Sequence, residues 1–120
     1  MGGLIRGEVQ RFANTCRWSW QGWIAAWKSE KSIRQWTIVN AVSVVFAFSL
    51  DLTGGERALV LSLGLLILVA ELFNTAIEEI LDLTHPEHHP AAGKAKDCGS
   101  AAVAVAALAG GAAWLTILMS

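Results

Sequence analysis

Beyond Asp97 no charge appears through Ser120, an uninterrupted run of twenty-three residues (98–120) rich in alanine, glycine, valine and leucine. A spanning helix needs about 20 apolar residues, and inside a bilayer only a helix satisfies its backbone within one segment. Two further stretches approach the same limit. Sixteen residues (35–50) lie between Arg34 and Asp51 without a charge, and from Ala58 to Leu81 the only charged or amide side chains are Glu71, Asn74, Glu78 and Glu79. The chain is therefore expected to be an all-α membrane protein with spans at about 35–52, 57–82 and 97–119, in a single domain of residues 1–120. Only 16% of residues are charged, too few to coat a small soluble body, which is mostly surface. A net charge of −1 removes the positive footprint that duplex nucleic acid requires.

The segment before the first span reads differently. Arg6, Arg11, Arg17, Lys28, Lys31 and Arg34 are scattered among apolar residues, and five of the six tryptophans fall between Trp18 and Trp36. Trp20, Trp23 and Trp27 recur at i, i+3, i+7 and share one helical face. Indole favours the headgroup region, so residues of about 5–30 are expected to form an amphipathic helix lying in the interface. The plainer alternative is a helix that buries its tryptophans against the bundle. No apolar core or small-residue cleavage site of a signal peptide follows the early positive charges.

Six basic residues precede the first span, Arg57 alone lies in the first connection, and Lys94 and Lys96 lie in the second. The positive-inside rule then sets the N-terminus and second connection in the cytoplasm, and the C-terminus outside. Gly54-Gly55 is expected as a tight turn, and Thr84 to Gly93, with Pro86 and Pro90, as a largely non-helical connection. Both cysteines, Cys16 and Cys98, fall near the reducing side, which disfavours a disulfide. Ala102, Ala106 and Gly110 form a small-residue ridge suited to close helix packing.

The polar residues within the second span carry the chemistry. Glu71, Asn74 and Glu78 recur at i, i+3, i+7 on one helical face, and Asp82 continues it. A carboxylate at the bilayer centre costs about 2.5 kcal/mol or more, so it faces protein or water and signals function. A buried polar network that only glues helices is the plainer alternative. Three helices cover such a face poorly, so a homo-oligomer with sites between subunits is expected. Glu78 stands about 10 Å from Glu71 along the axis, toward the cytoplasmic end. Glu30 precedes the first span and Lys96-Asp97 opens the third. Carboxylates with few fixed positions suit Mg²⁺ carrying phosphates, lysine balances phosphate charge, and a deeper glutamate can take a proton from a lipid alcohol. The set reads as phosphoryl transfer from a nucleotide to a membrane alcohol.

Soluble-kinase motifs do not explain it. Gly93-Lys94 fails as a P-loop, with His88 where the first glycine belongs and Ala95 where Ser or Thr belongs. His85, Glu87, His88 and His89 lack structured zinc spacing, and a solvated loop is the favoured reading.

The run Glu71-Leu-Phe-Asn-Thr-Ala-Ile-Glu78, then Gly93-Lys-Ala-Lys-Asp-Cys-Gly-Ser-Ala-Ala102, with the lead-in Ala25-Ala-Trp-Lys-Ser-Glu30 and Arg34, closely resembles the bacterial integral-membrane diacylglycerol kinase family. The resemblance covers nearly the whole chain. It implies a homotrimer in the inner membrane that phosphorylates diacylglycerol to phosphatidic acid with ATP and Mg²⁺. Carried over by position, Glu71 is implied as catalytic base with Asn74 beside it, and Glu30 and Glu78 as Mg²⁺ and nucleotide ligands. The nucleotide side is implied to include Trp18, Glu87, His88, His89, Lys96 and Asp97. The lipid side is implied to include Arg11, Ser32, Ile33, Arg34, Gln35, Trp36 and Ser100. Trp18 and His88 stand where a familiar form of the family has tyrosines, and Trp36 where it has a glutamate.

Three other readings compete. An undecaprenol kinase of the same family would use the same face. A small proton-coupled transporter also uses a membrane glutamate, yet usually has four spans and needs neither Glu30 nor Lys96-Asp97. A non-catalytic assembly subunit needs none of these groups.

Overall fold

Four helices account for nearly all of residues 1–120, the part described by a computed structural model: α1 (Gly2–Ser29), α2 (Lys31–Ser49), α3 (Gly54–Thr84) and α4 (Pro90–Met119). There is no strand. Each break between helices has a local cause. Glu30 alone separates α1 from α2, with extended backbone at φ −116° and ψ 114°. Arg34 reaches back to the freed end of α1, donating from Nη1 to the Trp27 carbonyl and, at 3.5 Å, to the Lys28 carbonyl. A cation on the last carbonyls of a helix satisfies groups that have no intrahelical partner.

The second break corrects an expectation. Gly54-Gly55 does not form a tight turn but opens α3, and Arg57 lies inside that helix. The reason is a capping box: the Glu56 amide donates to Thr53 Oγ1 at 3.1 Å, and the Thr53 amide donates to Glu56 Oε1 at 2.8 Å. Two otherwise unsatisfied donors are met reciprocally, which outweighs the conformational freedom of the glycine pair. Arg57 then ties α3 to the end of α2. Its Nε donates to the Ala47 carbonyl at 2.8 Å, and its guanidinium lies 5.4 Å from the centre of the Phe48 ring.

The third connection shortens to residues 85–89. Pro90 opens α4 rather than interrupting a loop, because a first-turn proline gives up no intrahelical bond. His89 caps it, with Nδ1 accepting from the Ala91 amide at 3.1 Å.

α3 is the central element, packed against both α2 and α4. Two polar links pin the bundle: Asn40 Nδ2 donates to the Gly64 carbonyl at 2.8 Å, and Trp114 Nε1 donates to Ser43 Oγ at 3.0 Å. Gly64 permits the first link, since a Cβ there would overlap the Asn40 side chain. The buried apolar core is small, formed by residues such as Ala26, Ile33, Ala47, Val60, Ile67 and Val103. Large apolar side chains instead face outward, among them Leu65, Leu66, Phe73, Leu108 and Leu115. So much exposed apolar surface marks an interaction face rather than a water-exposed one.

α3 and α4 are long and apolar enough to cross a membrane; α2, with 19 residues including Lys31 and Arg34, does not reach that standard. Most of α1 stands clear of the bundle, with Ala26 its one buried residue. Trp18 and Trp20 are exposed on it, while the rings of Trp23 and Trp27 lie 6.1 Å apart, tilted by 37°.

Candidate active site

α3 gathers every buried polar side chain in the chain: Glu71, Asn74 and Thr75. They fall at i, i+3 and i+4, one patch on the inward face. The patch continues toward the end of the helix, where Asn74 Nδ2 donates to Glu78 Oε1 at 3.3 Å. Glu71, at 4% exposed, is covered within a single chain. The single chain thus covers Glu71 and Asn74, more than three helices were expected to cover, while Glu78 is half-buried and Asp82 exposed on the same face. The missing ingredient was Gly99 on α4. A Cβ at Gly99 would overlap Asn74 Oδ1 and stand 3.6 Å from Asn74 Cα, so α4 closes over the patch only because that position is bare. The Ala102-Ala106-Gly110 ridge contributes less: a Cβ at Gly110 would make an ordinary 3.5 Å contact with Ile67 Cδ1.

Near the end of α3, acids accumulate. Burial pushes the Glu30 carboxyl above its usual range, and the Glu78, Glu79 and Asp82 carboxylates push it further, with the Arg34 guanidinium opposing. The α1–α2 break thus brings Glu30 close to the acids of α3. Asp82 is paired across the third connection with Lys96 Nζ at 2.5 Å, which ties α3 to the first turns of α4. Lys96 and Asp82 are therefore neighbours, a pairing that sequence spacing alone did not reveal.

Nowhere do three His, Cys, Asp or Glu side chains gather so as to hold a metal on their own. Glu30 and Glu78 nevertheless fit Mg²⁺. Glu30 sits in an excess of negative charge that only Arg34 offsets, and Mg²⁺ is commonly held by one or two carboxylates together with substrate phosphates.

Beside the patch, α1 and α3 enclose an open groove of about 730 Å³. Its walls are mainly apolar, with Trp23, Ala26, Val69, Leu72 and Phe73, while Thr75 and Glu79 add polar groups from α3. Such a mostly apolar cleft with few polar groups is what a small amphiphile requires. Sequence reasoning singled out neither the groove nor Thr75, though Thr75 lies one turn beyond Glu71 on the same face.

The remaining predicted residues are dispersed. Arg11 and Trp18 are exposed on α1, with Arg11 paired to Glu8 at 3.4 Å. Ser32 is half-buried and Gln35 exposed, while Ile33 has no exposed surface. Arg34 is engaged in capping α1. Trp36 lines a second groove of about 220 Å³ with Asn40, Ser43, Val60 and Trp114, away from the α1–α3 groove. Glu87 and His88 are exposed in the third connection, beside the capping His89. Asp97 and Ser100 are exposed near the start of α4.

Residues 17–118 match the family model described as prokaryotic diacylglycerol kinase. Among curated proteins, the chain is 41% identical over 111 residues to a diacylglycerol kinase of Pseudomonas aeruginosa, covering 92% of this chain and 90% of that protein. It is 36% identical over 110 residues to a diacylglycerol kinase of Escherichia coli, with the same coverage of 92% and 90%. A Haemophilus influenzae diacylglycerol kinase is 35% identical over 105 residues, 88% of this chain and 89% of that one.

Proposed function

The chain belongs to the prokaryotic diacylglycerol kinase family of enzymes, and from that premise we propose that it transfers the γ-phosphate of ATP to the free hydroxyl of diacylglycerol, giving phosphatidic acid. One observation carries the reading: a buried carboxylate, Glu71, lies one turn from the wall of an open apolar groove, with a second acidic cluster farther along the same helix. The groove suits the lipid and the cluster suits the nucleotide, so two substrates of opposite solubility approach one helix face.

In this mechanism the lipid enters sideways between α1 and α3, its chains against Trp23, Leu72 and Phe73. Glu71 accepts the proton of the lipid hydroxyl as its oxygen attacks the γ-phosphorus, and the bond from that phosphorus to the β,γ-bridging oxygen breaks to release ADP. A neutral alcohol is a weak nucleophile, and a positioned base contributes about 10²–10⁴-fold. Asn74, bonded to Glu78 through Nδ2, links the base to the nucleotide end of the face. Glu30 and Glu78 would hold Mg²⁺, which would supply positive charge to neutralise the phosphates. Lys96 supplies a further positive charge to the phosphates, and Asp97, Glu87, His88, His89 and Trp18 surround the nucleotide. Arg11, Ser32, Ile33, Arg34, Gln35, Trp36 and Ser100 belong to the lipid side through the family resemblance alone. Positioning and charge neutralisation account for most of phosphoryl-transfer catalysis.

The same reading places the protein in the inner membrane as a homotrimer with active sites between subunits. It has three spans, α2 with α3 and α4, the N-terminus in the cytoplasm and the C-terminus outside, and α1 in the interface. The exposed apolar faces of α3 and α4 support the membrane setting. The exposed Trp20 supports the interfacial α1.

The test is a kinase assay of purified protein with diacylglycerol and undecaprenol side by side, each with Mg²⁺ and ATP. Phosphatidic acid as the dominant product supports the reading. Faster phosphorylation of the prenol, or ATP consumption that ignores lipid, overturns it.

A further inference from the structure

The hydroxyl of Thr75 behaves unlike those of the other helical threonines of the chain. Thr15, Ser19, Thr37, Thr84 and Thr116 each donate to the carbonyl four residues earlier, at 2.7–3.0 Å. This is the default for Ser and Thr inside helices. Thr75 makes no such bond: its Oγ1 is buried and has no partner. The residue is 8% exposed, so water does not readily meet the demand. Buried polar groups without partners are rare in folded proteins, and each calls for an explanation.

Its position supplies one. Thr75 lies one turn beyond Glu71 on the inward face of α3, and it also lines the α1–α3 groove. It therefore stands where the apolar groove meets the proposed base. We infer that Thr75 positions the lipid acceptor, its hydroxyl donating a hydrogen bond to the ester carbonyl beside the reacting hydroxyl. This rests on the diacylglycerol kinase reading and adds a residue to it. The carbonyl is the better acceptor on chemical grounds. A hydrogen bond donated to the attacking oxygen would withdraw the electron density that attack requires, whereas a carbonyl oxygen has lone pairs to spare.

Thr75→Val keeps the branched shape and removes the hydroxyl; Thr75→Ser keeps the hydroxyl and trims a methyl group. Both are measured with diacylglycerol and with its dialkyl-ether analogue, which lacks carbonyls, after helical content and elution volume have been matched to the wild type. The expected result for Thr75→Val is a rise in KM for diacylglycerol of about three- to tenfold, the range of one neutral hydrogen bond. KM for Mg²⁺-ATP should be unchanged, Thr75→Ser should stay near wild type, and the ether analogue should erase the difference between Val and wild type. If Thr75→Val does not fold, Thr75→Ala replaces it with the same expectation. A wild-type lipid KM in the folded variant overturns the inference, and so does equal loss in Val and Ser, which would indicate shape alone. A lower kcat with a displaced pH profile at unchanged lipid KM also overturns it, because the hydroxyl would then act through Glu71. Failure of the wild type to phosphorylate diacylglycerol defeats the kinase reading instead, and the two failures are distinguishable in one assay.

Discussion

α3 and α4 are matched in length, at 31 and 30 residues, and both are long and apolar enough to cross a membrane. Their roles are nonetheless opposite. α3 buries Val60, Gly64, Ile67, Glu71, Asn74 and Thr75, twice as many residues as α4. α3 carries Glu71, Asn74 and Thr75 on its buried face. α4 buries no polar side chain; its buried residues are Ala92, Gly99 and Val103. Hydropathy alone finds two membrane helices and misses the division of labour. One helix presents the buried polar groups, and the other supplies a bare surface that lets it approach them.

The comparison can be broken on the α3 side first. Glu71→Gln keeps the shape and removes the proposed base, so kcat should fall by about 10²–10⁴-fold; Asn74→Ala should lose less, since its proposed part is to connect groups rather than to accept the proton. Initial rates at saturating ATP and lipid decide the order. Equal losses would make Asn74 a full partner in the chemistry.

On the α4 side the expected loss is smaller and position-specific. Gly99→Ala forces Asn74 Oδ1 to move, and a displacement of about 1 Å in a catalytic array can cost about 10²-fold. Gly110→Ala meets only an ordinary contact at 3.5 Å from Ile67 Cδ1 and should remain near wild type. Comparable losses in the two variants would show that α4 packing in general matters, not the Asn74 contact.

A smaller change separates the nucleotide end from the lipid end. Glu30→Gln and Glu78→Gln should raise the Mg²⁺ concentration needed for half-maximal rate more than the lipid KM. Mg²⁺ titrations at fixed lipid check this, and unchanged Mg²⁺ dependence in both variants would remove them as ligands.

The smallest effect concerns stability. The Glu30 carboxyl is pushed above its usual value of 4.5 by burial, then by Glu78, Glu79 and Asp82. A group raised on folding favours the fold fully below its unfolded value, and that contribution is lost as pH rises through the folded value. Glu30→Gln should therefore raise the Tm modestly at neutral pH in chelator. The gain should shrink as pH falls toward 4.5. A gain independent of pH would point to packing instead.

Much of this was legible because periodicity and charge are local properties. The shared face of Glu71, Asn74 and Glu78 follows from 3.6 residues per turn alone. The features that escaped depend on partners distant in sequence or on competition between local signals. Gly99 matters because Asn74 lies opposite it, and the pairing of Lys96 with Asp82 joins residues of two different helices. Gly54-Gly55 has the composition of a turn, yet the Thr53–Glu56 capping box turns it into a helix start. Thr75 escaped because threonine in a helix is ordinary until its hydroxyl is found without a partner.

The claim that a carboxylate buried in α3 takes the lipid proton is tested most directly in a single turnover. Labelled γ-phosphate passing from ATP to diacylglycerol is followed in wild type and Glu71→Gln, with oligomeric state and helical content matched and both substrates bound. A transfer step slowed by about 10²–10⁴-fold, with ATP and lipid still binding at wild-type affinity, is the predicted result. A folded Glu71→Gln enzyme that transfers phosphate at the wild-type rate would contradict the account.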